Sequence, residues 1–492
     1  MQRYLSDEHH EDITMKELRR AYRMSNKKTV LGALLTAVIG AIYMPVALAE
    51  VSAEEAAQLG GDTLTRFGAE KAGNADGSIP AYTNGLQSST LSLDEDPFPD
   101  EKPLYTITAA NMAQYEDLLV DGTKLLLQRH DEYRVDVYPS HRTMSYPDWV
   151  LENTVKNATT ATLGGKVEGD DLLGAGDDGL PYPGIPFPIP KTGYEVMWNN
   201  TAKYAPPIGR QTWSGYLVDA GGAITELPHL DGMYVHPRYD RTGSLQKVVP
   251  KGTQFGFNAT LTDPPSSAGI VFLNFYTSTG SKNGGQKVYF YTPGQRRVRL
   301  APEFAYDVPI AGYGGVTIWD EIWNFVGRLD RFDFKLIGKE EKIIPYNSFL
   351  TEAHAPPREM LGDNTINPDY NRWEKHRVWV VEATRKSDAR HAYAKRRFYV
   401  DEDTWCVIVQ ESWDDAGNLY RHTYSPTHAL PGADGGLSHY SWVTYDMIKG
   451  NYFILGTYWG GKGDKITYYN SLEEHPRALS LTPNGVQASG VR

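Results

Sequence analysis

The sequence predicts a mainly β fold of the α+β class, with one large curved antiparallel sheet covered by helices. Tyr (32), Trp (11), Gly (47) and Pro (30) are abundant among the 492 residues, whereas long alanine-rich helical stretches are scarce. From about Gly209, short alternating runs of aromatic and β-branched residues are separated by Gly, Pro, Asn and Asp. At least eight such runs follow one another, which favours one continuous sheet over several domains.

The first 49 residues have the pattern of an export signal. Lys27 and Lys28 precede an uncharged segment over residues 29–48, and Ala47-Leu48-Ala49 supplies small residues directly before Glu50. Signal peptidase cleaves after such A-x-A patterns. We therefore predict a signal peptide over residues 1–49 and a mature protein exported to the periplasm.

Two alternatives remain open at this end of the chain. The apolar segment reaches about the lower limit for spanning a bilayer, so an uncleaved anchor is the competing interpretation, although Pro45 favours cleavage. Four acidic residues before Met15 are unusual for a signal peptide. Met1, Met15 and Met24 are therefore all candidates for the true start.

The single cysteine limits the chemistry. Cys406 lies in the apolar run Trp405–Val409, and no cysteine stands directly after the predicted cleavage site, where Glu50 follows Ala49. An intramolecular disulfide and a Cys-based metal site are excluded, and the mature protein has no N-terminal thiol to acylate. We expect a soluble, non-lipidated protein in which Cys406 is a small buried hydrophobic residue rather than a nucleophile.

The charge balance argues against nucleic acid as a partner. The chain has 49 Lys and Arg against 61 Asp and Glu, a formal net charge of −12. Such a surface repels phosphate backbones and anionic headgroups. Other proteins, or neutral and apolar ligands, suit it better.

The pattern before residue 191 predicts an arm, two helices and a strap packed on the sheet. Helical spacing runs from Thr108 to Leu127, and a second helix from Pro147 to about Ala161. Five prolines between Pro181 and Pro190 form a polyproline-like strap that cannot join a β-ladder. The predicted divisions of the mature chain are an arm, helices and strap over 50–190, the sheet over 191–470, and a tail over 471–492.

One apolar helix is predicted between strands of the sheet. Trp319, Ile322, Trp323, Val326 and Leu329 fall at helical spacings. An antiparallel sheet with an apolar face needs such a cover.

No motif for a cofactor, a metal or a nucleotide survives inspection. Gly174–Gly179 satisfies GxGxxG but runs into prolines instead of a helix, and residues 456–463 lack the hydroxyl that a phosphate loop needs. Neither HExxH nor GxSxG occurs. We predict no cofactor and no catalytic residue, while a hydrolase acting on a glycan or an ester, with a site assembled from distant residues, stays open.

Four long segments together resemble one family. They are Phe67–Leu86, Pro293–Pro309, Asp330–Asn347 and Tyr393–Arg421. They are similar to the proteobacterial domain of unknown function 1329 family, whose members are often labelled outer-membrane lipoprotein-sorting proteins. The resemblance covers roughly residues 53–460.

The resemblance implies a fold like that of the periplasmic lipoprotein carriers LolA and LolB, an incomplete antiparallel barrel with an apolar hollow covered by helices. It also implies partners: an inner-membrane RND-type transporter and an outer-membrane protein. It carries over no catalytic residue. The long segment before residue 200 has no counterpart in the small carriers, and it could fill the hollow.

Three functions follow for testing: a carrier or chaperone for a lipid or other hydrophobic small molecule, a structural or docking protein of an outer-membrane assembly, and an envelope hydrolase. A half-closed barrel can shield acyl chains at about 0.8 kcal/mol per buried CH₂. In the carrier, the Trp-bearing helix would be a lid that ligand displaces. The alternative for each candidate side chain is simple core packing. The candidate ligand-binding residues are Trp319, Ile322, Trp323, Val326, Phe290, Trp379 and Trp413.

Overall fold

The computed structural model describes residues 51–86, 90–92, 95–278, 285–301, 306–310, 312–351, 356–430, 432–438, 440–456, 466–474 and 481–489. The predicted signal peptide lies outside these ranges. No helix within them is long and apolar enough to cross a bilayer.

Strands dominate the described chain. The helices are α1 (Ala53–Ala56), α2 (Asp121–Arg129), α3 (Asp148–Asn157), α4 (Gly193–Ala202), α5 (Pro357–Met360) and α6 (Pro483–Ser489). The strands are β1 (Tyr105–Ile107), β2 (Val135–Val137), β3 (Thr162–Gly164), β4 (Asp171–Leu173), β5 (Ile208–Val218), β6 (Ile224–Glu226), β7 (His229–Val235), β8 (Thr253–Asp263), β9 (Val271–Thr277), β10 (Gln286–Thr292), β11 (Arg297–Ala301), β12 (Phe332–Pro345), β13 (Trp373–Arg385), β14 (Lys395–Asp401), β15 (Val407–Trp413), β16 (Leu419–Tyr424), β17 (His428–Ala429), β18 (Leu437–Ser438), β19 (Trp442–Asp446), β20 (Asn451–Gly456) and β21 (Thr467–Tyr469).

Thirteen of these strands form one continuous antiparallel series. Its order is β12-β13-β14-β15-β16-β19-β20-β5-β7-β8-β9-β10-β11. The long strand β5 joins the two halves, because its last residues pair with β20 and its first residues pair with β7. In the described ladders β11 and β12 each have one partner, so they are the two edges of an open sheet.

The sheet is strongly curved. The Trp319 ring lies 5.9 Å from the ring of Phe272 on β9, while the next residue, Asp320, lies 2.8 Å from Arg396 on β14. Eight strand spacings separate β9 from β14, which would be roughly 38 Å in a flat sheet. Neighbouring residues can reach both strands only if the sheet wraps around them. The predicted fold class, a large curved antiparallel sheet, is confirmed.

Both faces of the sheet are covered. Successive residues of a strand point to opposite faces, and on β20 Phe453 packs in a different apolar cluster from Ile454. The inner face carries α4, the proline strap and residues 306–331. The outer face carries α2 and α6.

The segment before residue 191 largely follows the prediction. Residues 108–127 form two helical pieces, a 3₁₀ helix over Met112–Leu118 and then α2, because Leu119 is extended and buried between them. The strap joins no described ladder, as predicted, but it is mostly buried. Asn157 of α3 and Asn199 of α4 satisfy its backbone with their side-chain amides.

The N-terminal arm is anchored at the turn between β14 and β15. Arg142 binds the Asp403 carboxylate through two nitrogens, at 2.6 and 2.8 Å, and donates to the carbonyl of Glu70 in the arm. The indole of Trp405 donates to the carbonyl of Phe67 at 3.0 Å. Asp403 and Trp405 are both buried, so this turn holds the arm from inside the fold.

The predicted helix around Trp319 is wrong. Residues 319–324 form 3₁₀ turns interrupted at Ile322, which is extended, and at Trp323, which has φ 49°. Residues 306–331 connect the edge strands β11 and β12 and are called the crossing segment below. The apolar residues of the crossing segment are spaced as in a helix. Its polar contacts with the sheet nevertheless determine its backbone conformation.

Three buried polar residues fix the crossing segment to the sheet. Asp320 accepts from Arg396 and from His391 at 2.8 and 3.0 Å. Although burial opposes it, Arg396 and His391 hold the pKa of Asp320 below its ordinary value. The side-chain amide of Asn324 lies 2.6 and 3.1 Å from the carbonyls of Val407 and Ile408.

Glu321 completes this set of anchors. Its carboxylate accepts from the Tyr393 hydroxyl at 2.6 Å and from the backbone N–H of Ile318 at 3.1 Å. The crossing segment is therefore held by directional contacts to β14 and β15 and to the loop before β14.

Removing the Asp320 carboxylate should leave the Arg396 guanidinium buried without a counter-charge. We expect Asp320→Ala to lower the free energy of unfolding by about 3–5 kcal/mol, measured by urea denaturation. Asp333→Ala, at an exposed position of β12, is the matched control and should change it by less than about 1 kcal/mol. Equal effects of the two substitutions would contradict the anchoring role.

The docking of α2 should make stability depend on pH. The N–H of Gly122 donates to buried Glu411 on β15, and burial raises the pKa of Glu411 to about 7. The folded state thus favours the protonated Glu411 side chain. Its contribution to the free energy of unfolding is fully present below the pKa that Glu411 has in the unfolded chain, and it is lost as the pH rises from that value through 7. Between pH 5 and 8 we expect wild type to lose about 2–3 kcal/mol more unfolding free energy than Glu411→Gln.

The control for this experiment is Glu152→Gln, at an exposed position of α3, which should follow wild type. Asp401, whose pKa burial also raises to about 7, titrates in all three proteins and cancels in the difference. Parallel pH profiles for wild type and Glu411→Gln would show that Glu411 is ionised in the fold.

Candidate functional site

An apolar cavity lies between the inner face of the sheet and the crossing segment. It holds about 680 Å³ of space outside the protein atoms, including the part open to solvent. Its lining consists of Trp213, Pro228, Leu230, Phe257, Ala259, Leu261, Phe272, Ile310, Tyr313, Trp319, Ile322, Trp323, Trp442 and Leu455.

Strand alternation positions most of the wall. Phe257, Ala259 and Leu261 occupy every second position of β8 and face the cavity together. Trp213 on β5 and Trp442 on β19 form the neighbouring walls. These residues were missed in the sequence, because alternation shows which residues share a face but not which face is the inner one.

The crossing segment supplies the remaining wall through three of the candidate residues, whose binding of a ligand stays a prediction. Trp319, Ile322 and Trp323 line the cavity, whereas Val326 lines a smaller cavity beside it. Trp323 has ring contacts with Phe255 at 4.9 Å and with Trp442 at 6.5 Å. The prediction thus located one wall of the hollow while giving it the wrong secondary structure.

The other predicted binding residues lie elsewhere. Phe290 on β10 pairs directly with the lining residue Phe272 and lies beside it on the same face, with ring centroids 5.1 Å apart. Trp379 stacks on Trp405 and carries Lys339 over its ring. Trp413 lies under Lys395, 4.1 Å from the ring centroid. Ligand binding by these three residues stays a prediction, and none of them lines the apolar cavity.

The smaller cavity has a different chemistry. It holds about 400 Å³ of space outside the protein atoms, including the part open to solvent. Apolar rings meet polar side chains there, and Trp323 lines both cavities. Its lining is Asn200, Thr201, Lys203, His236, Phe255, Tyr276, Trp323, Phe325, Val326 and Gly327.

The His391–Asp320 pair is not arranged for catalysis. Nδ1 of His391 accepts from the backbone N–H of Tyr393 at 3.1 Å, so Nε2 carries the proton that is donated to Asp320. Both ring nitrogens are occupied, and the imidazole is buried. A general base needs a nitrogen within reach of the proton that it removes.

Two further observations concern Cys406 and metal binding. Cys406 is buried directly before β15, and burial raises the pKa of its thiol to about 11, which confirms the prediction of a buried hydrophobic residue. In the described part of the chain, no three His, Cys, Asp or Glu side chains are grouped to hold a metal ion.

Known proteins similar to this chain identify its family. The model of the family described as "Protein of unknown function (DUF1329)" matches residues 106–486. An uncharacterized protein of Pseudomonas aeruginosa is 37% identical over 465 residues, which cover 90% of this chain and 95% of that protein.

Solved structures give weaker similarities. An outer membrane lipoprotein-sorting protein domain from Vibrio parahaemolyticus is 13% identical, with a TM-score of 0.40 over 60% of this chain and 97% of that one. A LolA superfamily protein from Nitrosomonas europaea is 11% identical, with a TM-score of 0.33 over 57% of this chain and 94% of that one. The family model matches most of the length of the chain. As the four segments predicted, the chain therefore belongs to the DUF1329 family.

Proposed function

We propose that the protein is a non-enzymatic periplasmic carrier or chaperone for an elongated hydrophobic or amphiphilic compound. The observation that carries this proposal is the apolar cavity between sheet and crossing segment. Its walls are aromatic and aliphatic side chains, as in known small-molecule sites. An apolar, partly open space suits a hydrocarbon chain better than a polar molecule.

Two parts of the proposal have separate support. The non-enzymatic role is supported by the His391–Asp320 pair, in which neither imidazole nitrogen can act as a base. Export to the periplasm is supported by the leader sequence before Glu50. An RND-type transporter and an outer-membrane protein are proposed as partners on the family resemblance alone.

The cavity provides its own reporter for ligand binding. Four tryptophans line it, Trp213, Trp319, Trp323 and Trp442, and bromine quenches tryptophan fluorescence on contact. We expect the neutral probe ω-bromododecanol to quench the emission of the purified protein saturably. Unbrominated dodecanol should reverse the quenching by competition.

Filling the cavity should abolish this binding. Ala259 is a small lining residue, and Ala259→Phe places a ring in the space that a chain would occupy. We expect this variant to weaken ω-bromododecanol binding at least about tenfold, with a cost of about 1–3 kcal/mol in stability. The control is Ala416→Phe, in an exposed turn, which should bind like wild type.

Failure of wild type to bind ω-bromododecanol, together with an organic extract that contains no co-purified lipid, would overturn the carrier function and favour the docking role. Equal binding by wild type and Ala259→Phe would show that the chain binds outside this cavity.

A further inference from the structure

Lys203 is a buried basic residue that has no carboxylate partner among the described residues. Its side chain lines the smaller cavity and the residue is only 8% exposed. Within the described chain its ammonium group donates to two neutral acceptors, the carbonyl of Asn200 at 2.6 Å and the Asn200 side-chain oxygen at 3.3 Å. An ammonium group has three N–H donors, so one remains for a further acceptor.

The surroundings of Lys203 do not compensate its charge. The neighbouring His236 is neutral, because burial and the charge of Lys203 lower its pKa to about 3. Burial likewise lowers the pKa of Lys203. An isolated buried ammonium is expensive unless it is paired. An anion entering the cavity would supply the missing charge and the third acceptor.

The position of Lys203 relative to the apolar cavity suggests what this anion is attached to. Trp323 lines both cavities, with Phe255 and Phe257 against its ring at 4.9 and 5.8 Å. A molecule that extends past Trp323 would meet hydrocarbon on one side and an ammonium group on the other. This is the polarity of an amphiphile with one apolar chain and one anionic end.

We propose that Lys203 binds the carboxylate of a single-chain amphiphile whose apolar chain occupies the cavity lined by Trp213, Phe257 and Trp442. This inference rests on the proposed function and specifies its ligand. A carboxylate is favoured over a phosphate because the smaller cavity has little free volume and Lys203 has one free donor.

The competing interpretation is that Lys203 only caps α4. It directly follows the last residue of that helix, and a cation there also satisfies the carbonyl of Asn200 and the helix dipole. A cap affects stability but does not make the protein prefer one ligand head group over another. Head-group preference therefore separates the two roles.

The experiment compares three ω-brominated twelve-carbon probes that differ only in the head group: ω-bromododecanoate, ω-bromododecanol and ω-bromododecyl phosphate. Tryptophan quenching gives a dissociation constant for each. We expect wild type to bind the carboxylate at least about tenfold more tightly than the alcohol, as for a hydrogen bond to a charged group. The phosphate should bind more weakly than the carboxylate.

Lys203→Met should bind the alcohol as wild type does and lose the preference for the carboxylate. The control is Lys251→Met, at an exposed position before β8, which removes the same charge and should retain the preference. Thermal melting monitored by circular dichroism verifies that the variants are folded. The wild-type comparison of head groups stands even where Lys203→Met fails to fold.

The outcomes separate the two proposals. Equal binding of carboxylate and alcohol by wild type, or a preference that survives in Lys203→Met, would overturn the role of Lys203 while the carrier function stands. Tighter binding of the phosphate probe would show that the site prefers a phosphate head group to a carboxylate. No binding of any probe would overturn the carrier function, and the role of Lys203 with it.

Discussion

The attachment of the crossing segment to the sheet determines the rest of the architecture. An open sheet of thirteen strands has two edges and no internal reason to keep one curvature. Here the chain runs from one edge to the other across the inner face, with Trp319 against β9 and Asp320 against β14. Apolar contacts alone would allow this segment to slide. The hydrogen bonds of Asp320 and Asn324 fix it at one register.

This attachment also restricts how a ligand can enter. Swinging the crossing segment away would break the ion pair between Asp320 and Arg396 together with the hydrogen bonds of Glu321 and Asn324, which is costly. A cover that opens as a rigid lid is therefore unfavourable. Entry through the part of the cavity open to solvent, with rotation of side chains such as Trp323, leaves the anchors intact. This route favours slim ligands over bulky ones.

The sequence predicted the elements better than it predicted their surroundings. Alternation and turn residues predicted one curved antiparallel sheet, and the spacing around Trp319 predicted an apolar cover over it. That cover is not a helix, because the left-handed backbone at Trp323 and Asn324 depends on partners on β15 that are distant in sequence. Lys203 was not singled out for the same reason. A lysine after a helix is ordinary in sequence, and only the fold reveals that it is buried beside a cavity.

The persistence of the apolar cavity itself needs an explanation. Side-chain atoms that line an apolar cavity lack packing partners on one side, which costs stability, and cores normally repack to avoid this. Repacking is hindered here because the crossing segment is positioned by its polar anchors and cannot settle further onto the sheet. The edge-to-face rings around Trp323 support the walls from the sides. The small side chain of Ala259 stands where a larger residue would fill the space. The small residue at position 259 therefore keeps the inner face from closing onto the crossing segment.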